Sequence, residues 1–168
     1  MKNKLLLSII FNFFLINFLY ANNIALIDLN FIINNSLVGK NVLKKLDDVN
    51  NKNLNILKKD QESLNRENED IEKTKNILSK DELDKKILTL NDKLKNFNQK
   101  QNFMSKEFQE LKQKEMTELI NKINPIIEKY MIENNIDLMI KKENTYISKI
   151  ELDVSKKIVE LINKNILN

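Results

Sequence analysis

Few side chains in this sequence could take part in chemistry. The 168 residues include no Cys and no His, so the usual ligands of zinc, haem and iron–sulfur clusters are absent, and no nucleophile can use an imidazole partner. A single Gly excludes the glycine-rich loops that bind phosphate, because those loops need several backbone positions without a Cβ atom. The sequence therefore predicts no metal, no cofactor and no nucleotide-dependent activity.

Carboxylates are the remaining candidates for acid–base catalysis. Asp28 and Asp137 lie in or near predicted strands, where burial could shift a pKa. We favour a structural role for Asp28, which can cap the turn that follows it. A denser run of acids lies between residues 60 and 72, and ion pairs across a helical hairpin explain this run better than an active site does. We predict that the protein is not an enzyme.

The charge balance is close to neutral. The formal net charge is +4, but Lys2 and Lys4 lie in an N-terminal segment that we expect to be removed, which leaves 26 basic against 24 acidic residues. This excess is too small to predict nucleic acid as a partner.

The N-terminal segment, residues 1–21, has the order of a secretory signal peptide. Two lysines precede an apolar run over residues 5–20, and Ala21 is followed by two asparagines. The run is shorter than the roughly 20 apolar residues that span a bilayer, so an uncleaved anchor is the weaker alternative. We expect cleavage after about Ala21 and a mature chain outside the cytoplasm.

Two long helices should follow a short strand at residues 24–29. Residues 29–37 can form a short helix that closes near Gly39, the one residue that takes the left-handed conformation cheaply. From residue 40 an apolar seam with a seven-residue spacing predicts a long helix, and a capping box at Ser79 and Glu82 starts a second one. Pro125 should kink or break the second helix.

The two seams match in an antiparallel coiled coil whose turn lies near residues 78–82. In this register Ile71 faces Leu90, Leu64 faces Phe97 and Leu57 faces Met104, and acidic residues 60–72 lie beside Lys93 and Lys95. The residues assigned to this packing are Leu57, Leu64, Ile71, Leu78, Leu83, Leu90, Phe97, Met104 and Leu111.

The C-terminal region predicts a small β structure. Residues 136–142 and 145–150 read as the two strands of a hairpin, and a last helix opens near Asp153 and Ser155. The strand residues that we assign to the body and its assembly are Ile24, Leu26, Ile27, Leu138, Ile140, Tyr146 and Ile147.

The expected fold class is α+β and mostly helical. Residues 40–130 form the hairpin arm, and residues 22–39 with 131–168 form a β-rich body. Three short strands with exposed edges are too few to bury a core, and a charged arm adds nothing to their burial. We therefore expect several copies to join their strands into one shared body; the number of copies does not follow from this reasoning.

The mature chain resembles the Skp, or OmpH-like, family of periplasmic chaperones over essentially its whole length. The most specific parts are residues 24–28 with Ser36, Gly39 and Lys40, then residues 78–79 at the tip, and residues 152–155. The resemblance implies a homotrimer with a β-barrel body and three helical arms. It also implies that the arms enclose unfolded outer-membrane proteins in the periplasm without ATP and that they contact anionic lipid or lipopolysaccharide. Family members are often more basic than this chain.

Client contacts should come from side chains on the arm that lie off its seam. Apolar residues adapt to variable partners, and lysines add flexible charges. The candidates are Ile56, Ile77, Leu88, Phe103, Lys100, Lys106, Lys112 and Lys114. For each of them, packing within the hairpin or simple solvation is the favoured reading over a client contact. A periplasmic coiled-coil spacer or adaptor with one defined partner is the alternative function, and it would not suppress aggregation in general.

Overall fold

The computed structural model describes residues 23–166. The expected leader and its cleavage site lie outside these residues. Within them the order of elements is β1 (Ile24–Ile27), α1 (Leu29–Asn35), α2 (Leu37–Thr74), α3 (Lys80–Glu133), β2 (Leu138–Lys141) and α4 (Ser155–Ile166). Two single-turn 3-10 helices, Lys142–Asn144 and Ile150–Leu152, lie between β2 and α4. The fold is mostly helical, as the sequence predicts, and the β structure of the described residues is one parallel pair of strands.

The chain divides into two compact units. The hairpin unit comprises residues 33–123 and contains most of both long helices. The strand unit comprises residues 23–32 with residues 124–166. The described part of the chain has no helix that is both long enough and apolar enough to cross a membrane.

Strands β1 and β2 form the β structure of the strand unit. They pair in parallel, with Ile24 opposite Leu138 and Leu26 opposite Ile140. Leu26 and Ile27 are buried. Residues 153–154 lie along the other edge of β1, where Leu26 forms a β-bridge with Asp153. The amide of Val154 donates to the Leu26 carbonyl over 3.0 Å. Helix α4 buries Ile158 and Ile162 completely.

The expected hairpin between residues 136–142 and 145–150 is wrong. Tyr146 and Ile147 lie in irregular backbone, and among the described residues only β1 and β2 are strands. A strand needs a neighbour to accept its hydrogen bonds, and both edges of β1 are already occupied by β2 and by residues 153–154. Residues 145–150 therefore cannot pair with β1, and their irregular backbone leaves the outer edge of β2 without a strand partner within the described part of one chain.

The joint between α1 and α2 differs from the expectation at Gly39. Helix α2 already begins at Leu37, and Gly39 lies inside it with a negative φ. Ser36 caps the helix, since its Oγ accepts a hydrogen bond from the Gly39 amide over 3.2 Å. Glycine is required here by close approach, because a Cβ atom at this position would lie 2.0 Å from the Ile33 carbonyl oxygen.

The turn of the hairpin spans residues 75–79, slightly earlier than expected. The capping box is confirmed. The Ser79 amide donates to Glu82 Oε2 over 3.1 Å, and the Glu82 amide donates to Ser79 Oγ over 3.4 Å. The Ser79 hydroxyl also donates to Glu82 Oε2 over 2.6 Å, and this bond, followed by the bond from the Ser79 amide, lowers the pKa of Glu82.

Pro125 does not break the second helix. Helix α3 runs through it from Lys80 to Glu133. Two residues after the end of the helix, Asn135 has a φ of 52° and is the one described residue other than glycine with a positive φ. Asn tolerates this left-handed conformation at a helix end, and its carbonyl accepts a hydrogen bond from the Asn23 side chain.

Candidate functional site

An apolar seam holds the two helices of the hairpin unit together. Leu64, Ile71 and Leu90 form a buried cluster, with Leu83 and Phe97 packed against it. This cluster contains the predicted pairs of Ile71 with Leu90 and Leu64 with Phe97. The other residues assigned to the seam are half-buried, namely Leu57, Leu78, Met104 and Leu111.

Ion pairs between the helices follow the same antiparallel register. Lys93 binds Glu67 over 2.7 Å, and seven residues along each helix Lys100 binds Asp60 over 2.6 Å. A third pair joins Lys45 to Glu115 over 2.6 Å, a further 15 residues along each helix. The acidic run thus contributes two of its carboxylates to the pairing of the hairpin.

Three predicted contact residues expose large apolar surfaces on the hairpin unit. Ile77 in the turn is 83% exposed, Leu88 is 64% exposed and Phe103 is 62% exposed. Ile56, the fourth apolar candidate, is only half-buried. Exposed apolar side chains of this size on a highly charged hairpin are available to a partner.

The predicted lysines differ in what they bind. Lys100 is held by Asp60, and Lys106 lies 3.7 Å from Glu110 one helical turn away. Lys112 and Lys114 are exposed and form no ion pair with any residue between 23 and 166. The last two are therefore the more adaptable charges.

A polar network holds α4 to the end of β1 in the strand unit. The Asp28 amide donates to Ser155 Oγ over 2.8 Å, and this hydroxyl donates to Asp153 Oδ1 over 2.5 Å. Asp153 Oδ2 accepts from Lys142 Nζ over 2.6 Å. Sequence reasoning placed Asp153 at the start of α4, but its lysine partner 11 residues earlier follows from the tertiary structure.

The ion pair in this network shifts both pKa values in opposite directions. Burial is the largest single influence on Asp153 and raises its pKa, but the hydrogen bonds from Lys142 and Ser155 outweigh it, so the pKa is lowered. The pKa of Lys142 is raised, first by its hydrogen bond to Asp153 and then by the charge of that carboxylate.

The two carboxylates considered for catalysis bind backbone. Asp28 Oδ1 accepts a hydrogen bond from the Phe31 amide over 2.8 Å, which confirms its role in capping the following turn. Asp137 Oδ2 accepts from the Asn23 amide over 3.0 Å. The residues described also contain no group of carboxylates that could hold a metal ion.

An exposed apolar segment follows β2. Tyr146 is fully exposed, and Ile147 and Ile150 are 84% and 83% exposed. Leu138 is half exposed on β2 itself. Ile150 was not among the predicted assembly residues, although its apolar character next to Ile147 could have indicated it.

The described residues form a long antiparallel helical hairpin and a two-stranded parallel sheet, which is a mostly helical α+β fold. The family described as outer membrane protein (OmpH-like) matches residues 23–162. The chain therefore belongs to the OmpH-like family. A crystal structure from Caulobacter crescentus CB15, of a proposed OmpH-like outer membrane chaperone, matches with a TM-score of 0.75 at 18% identity and covers 84% of each chain. This likeness supports the fold. No functionally curated protein matches the sequence.

Proposed function

We propose that this protein is an ATP-independent holdase chaperone of the periplasm that binds unfolded outer-membrane proteins and prevents their aggregation. Membership of the OmpH-like family supports a chaperone role. The proposed outer membrane chaperone with the same fold supports the choice of client. The leader-like residues 1–21 support export, and export to the periplasm would bring the protein to such clients.

The observation that carries the proposal is the exposure of Ile77, Leu88 and Phe103 on the hairpin unit. Each of these side chains would gain about 2 kcal/mol if a partner buried it completely. Their spacing over the turn and the second helix suits an extended or unfolded chain, which offers apolar side chains at many points. A folded protein offers few, so the hairpin would favour the unfolded state of its client.

Binding of this kind needs no reaction and no bound nucleotide. Anything that binds the unfolded state preferentially keeps molecules in that state and lowers the concentration available for aggregation. The exposed lysines Lys112 and Lys114 can add weak contacts to acidic client segments. They can also contact anionic lipid or lipopolysaccharide, a partner that the small net charge makes secondary.

We further propose that the working form is a homo-oligomer, with a trimer as the expected number. Tyr146, Ile147 and Ile150 would together gain several kcal/mol on burial by neighbouring copies. The outer edge of β2 and residues 145–150 would then find the strand partners that one chain lacks. On this proposal the predicted role of Tyr146 and Ile147 in assembly stands, although neither lies in a strand of the single chain.

The test is suppression of aggregation. A urea-denatured outer-membrane β-barrel protein is diluted into buffer with the mature protein at one functional assembly per client, and light scattering is followed. We expect scattering to fall strongly with the natural protein and to recover with Leu88→Ser combined with Phe103→Ser. The matched control, Gln99→Ser combined with Gln113→Ser, changes exposed polar positions on the same helix and should behave as the natural protein.

Two outcomes would contradict the proposal. Scattering that is unaffected by the natural protein would favour a spacer or adaptor with one defined partner. Native mass measurement in the same buffer tests the assembly separately, and a single chain at micromolar concentration would contradict the oligomer.

A further inference from the structure

We infer that the middle of the hairpin unit contains a groove that binds the backbone of an extended client segment. The groove runs between α2 and α3, and ten side chains line it. They are Asn50, Asn53, Leu54, Leu57, Gln101, Asn102, Met104, Ser105, Phe108 and Gln109. The inference rests on the proposed function, and it names the chemical groups of the client that this surface recognises.

The groove differs from the rest of the hairpin in its charge. None of the ten lining side chains is charged, whereas the neighbouring groove towards the turn is lined by Asp60, Glu67, Lys93 and Lys100. Interhelical ion pairs lie on either side of the groove, at Lys100 with Asp60 and at Lys45 with Glu115. The helices are therefore held together at both ends of the groove without a charged group inside it.

Five of the lining residues carry side-chain amides with free hydrogen-bonding groups. They are Asn50, Asn53, Gln101, Asn102 and Gln109, and none of these amides has a hydrogen-bond partner among residues 23–166. An amide side chain both donates and accepts, so it can pair with either the N–H or the C=O of a peptide chain. Such pairing does not depend on the sequence of the client, which a general chaperone requires.

Apolar side chains complete the groove. Leu54 is 55% exposed, and Leu57, Met104 and Phe108 are half-buried. A strand of an outer-membrane barrel alternates apolar and polar residues, so its apolar face would lie on these side chains while its backbone meets the amides. Met adapts its shape to different apolar partners.

The length of the groove region limits the segment that it can hold. The lining residues span positions 50–57 on α2 and 101–109 on α3, which is about 10–12 Å of helix. An extended chain advances about 3.3 Å per residue, so about three or four residues fit. The occupant is thus a short extended segment of an unfolded barrel protein.

The experiment compares two fluorescent seven-residue peptides with the same alternating valine and serine side chains. One has a natural backbone, and in the other ester oxygens replace alternate N–H groups. Fluorescence anisotropy measures the affinity of each peptide for the mature protein. Because one hydrogen bond is equivalent to about a fivefold change in affinity, the loss of two such bonds should make the ester peptide bind about 25-fold more weakly than the natural backbone.

Variants locate the effect. Asn53→Leu combined with Gln101→Leu removes two amides while favouring the helical seam, and circular dichroism checks that helix content is kept. We expect this variant to lose about 25-fold in affinity for the natural peptide and to bind the ester peptide no more weakly. The control, Gln99→Leu combined with Gln113→Leu, changes exposed residues outside the groove and should bind both peptides as the natural protein does.

Equal affinity for the two peptides, undetectable binding of both, or an unchanged preference in the double variant would overturn the inference. Aggregation assays on the same variants separate this result from the proposed function. If the protein suppresses aggregation but does not prefer the natural backbone, the proposed chaperone function stands and the groove inference is wrong. If it prefers the natural backbone but does not suppress aggregation, the groove inference is supported and the proposed chaperone function is wrong.

Discussion

Replacing Gly39 by alanine should destabilise the joint between α1 and α2. A Cβ atom at this position would lie 2.0 Å from the Ile33 carbonyl oxygen and 2.8 Å from Ser36 Oγ. The carbonyl belongs to the backbone and cannot rotate away as a side chain could. The joint would have to open by about 1 Å to restore an ordinary contact.

Two effects of opposite sign determine how much the substitution changes the free energy of unfolding. Alanine is favoured over glycine inside a helix by about 1 kcal/mol, and Gly39 has an ordinary helical φ. Overpacking costs about 1–3 kcal/mol, and a rigid backbone neighbour together with the fully buried Ser36 places this site at the upper end. We expect a net loss of about 2 kcal/mol in the free energy of unfolding.

Urea unfolding followed by circular dichroism measures this loss, at one fixed protein concentration because assembly would change the apparent stability. Hydrogen exchange of the amides in residues 37–45 locates it, since opening of the joint exposes the start of α2. Asn91→Ala, on the exposed face of α3, is the control and should be slightly stabilising. A Gly39→Ala protein that is as stable as the natural one would refute the argument from close approach.

Three further predictions concern the seam, the polar network and the ion pairs. Leu90→Ala should cost about 2–5 kcal/mol in urea unfolding because it leaves a cavity in the buried cluster, whereas exposed Leu88→Ala should cost far less. Because the pKa of Asp153 is lowered, the stabilising effect of its carboxylate is complete above the ordinary pKa of 3.8 and is lost as pH falls below that value. In a thermal melting series over this pH range, Asp153→Asn should therefore lose less stability than the natural protein does. Identical pH profiles for the two proteins would contradict this. Lys93→Glu should lower stability by about 0.5–1 kcal/mol at low salt, and adding Glu67→Lys should recover most of it; a double variant no more stable than the single one would argue against the pair.

The long helices could be predicted from the sequence because their signals are local. Seven-residue spacing identified the seam, and the packing of Ile71 with Leu90 and Leu64 with Phe97 followed from matching two seams across one turn. The capping box at Ser79 needs only a residue three positions away. Short-range signals of this kind can be read from a single sequence, so both helices and their pairing could be predicted.

Only some of the interaction surfaces could be predicted from the sequence. Ile77, Leu88 and Phe103 lie off the seven-residue spacing, and their exposure followed from that position. The amide groove could not be predicted in this way, because it depends on which residues of two helices, distant in sequence, face each other without an ion pair. Single asparagines and glutamines in a helix carry no signal of a shared surface.

The sequence by itself determined the two helices, their register and the absence of the residues that most enzymes need, because helical periodicity and composition are properties of short segments. Only the tertiary structure decided that β1 pairs in parallel with β2 and that residues 145–150 remain outside the sheet. It also decided that Gly39 is required for space, since a carbonyl six residues earlier returns against it. Strand pairing and close approach depend on which segments compete for one edge or one volume, and that competition is settled only when the chain has folded.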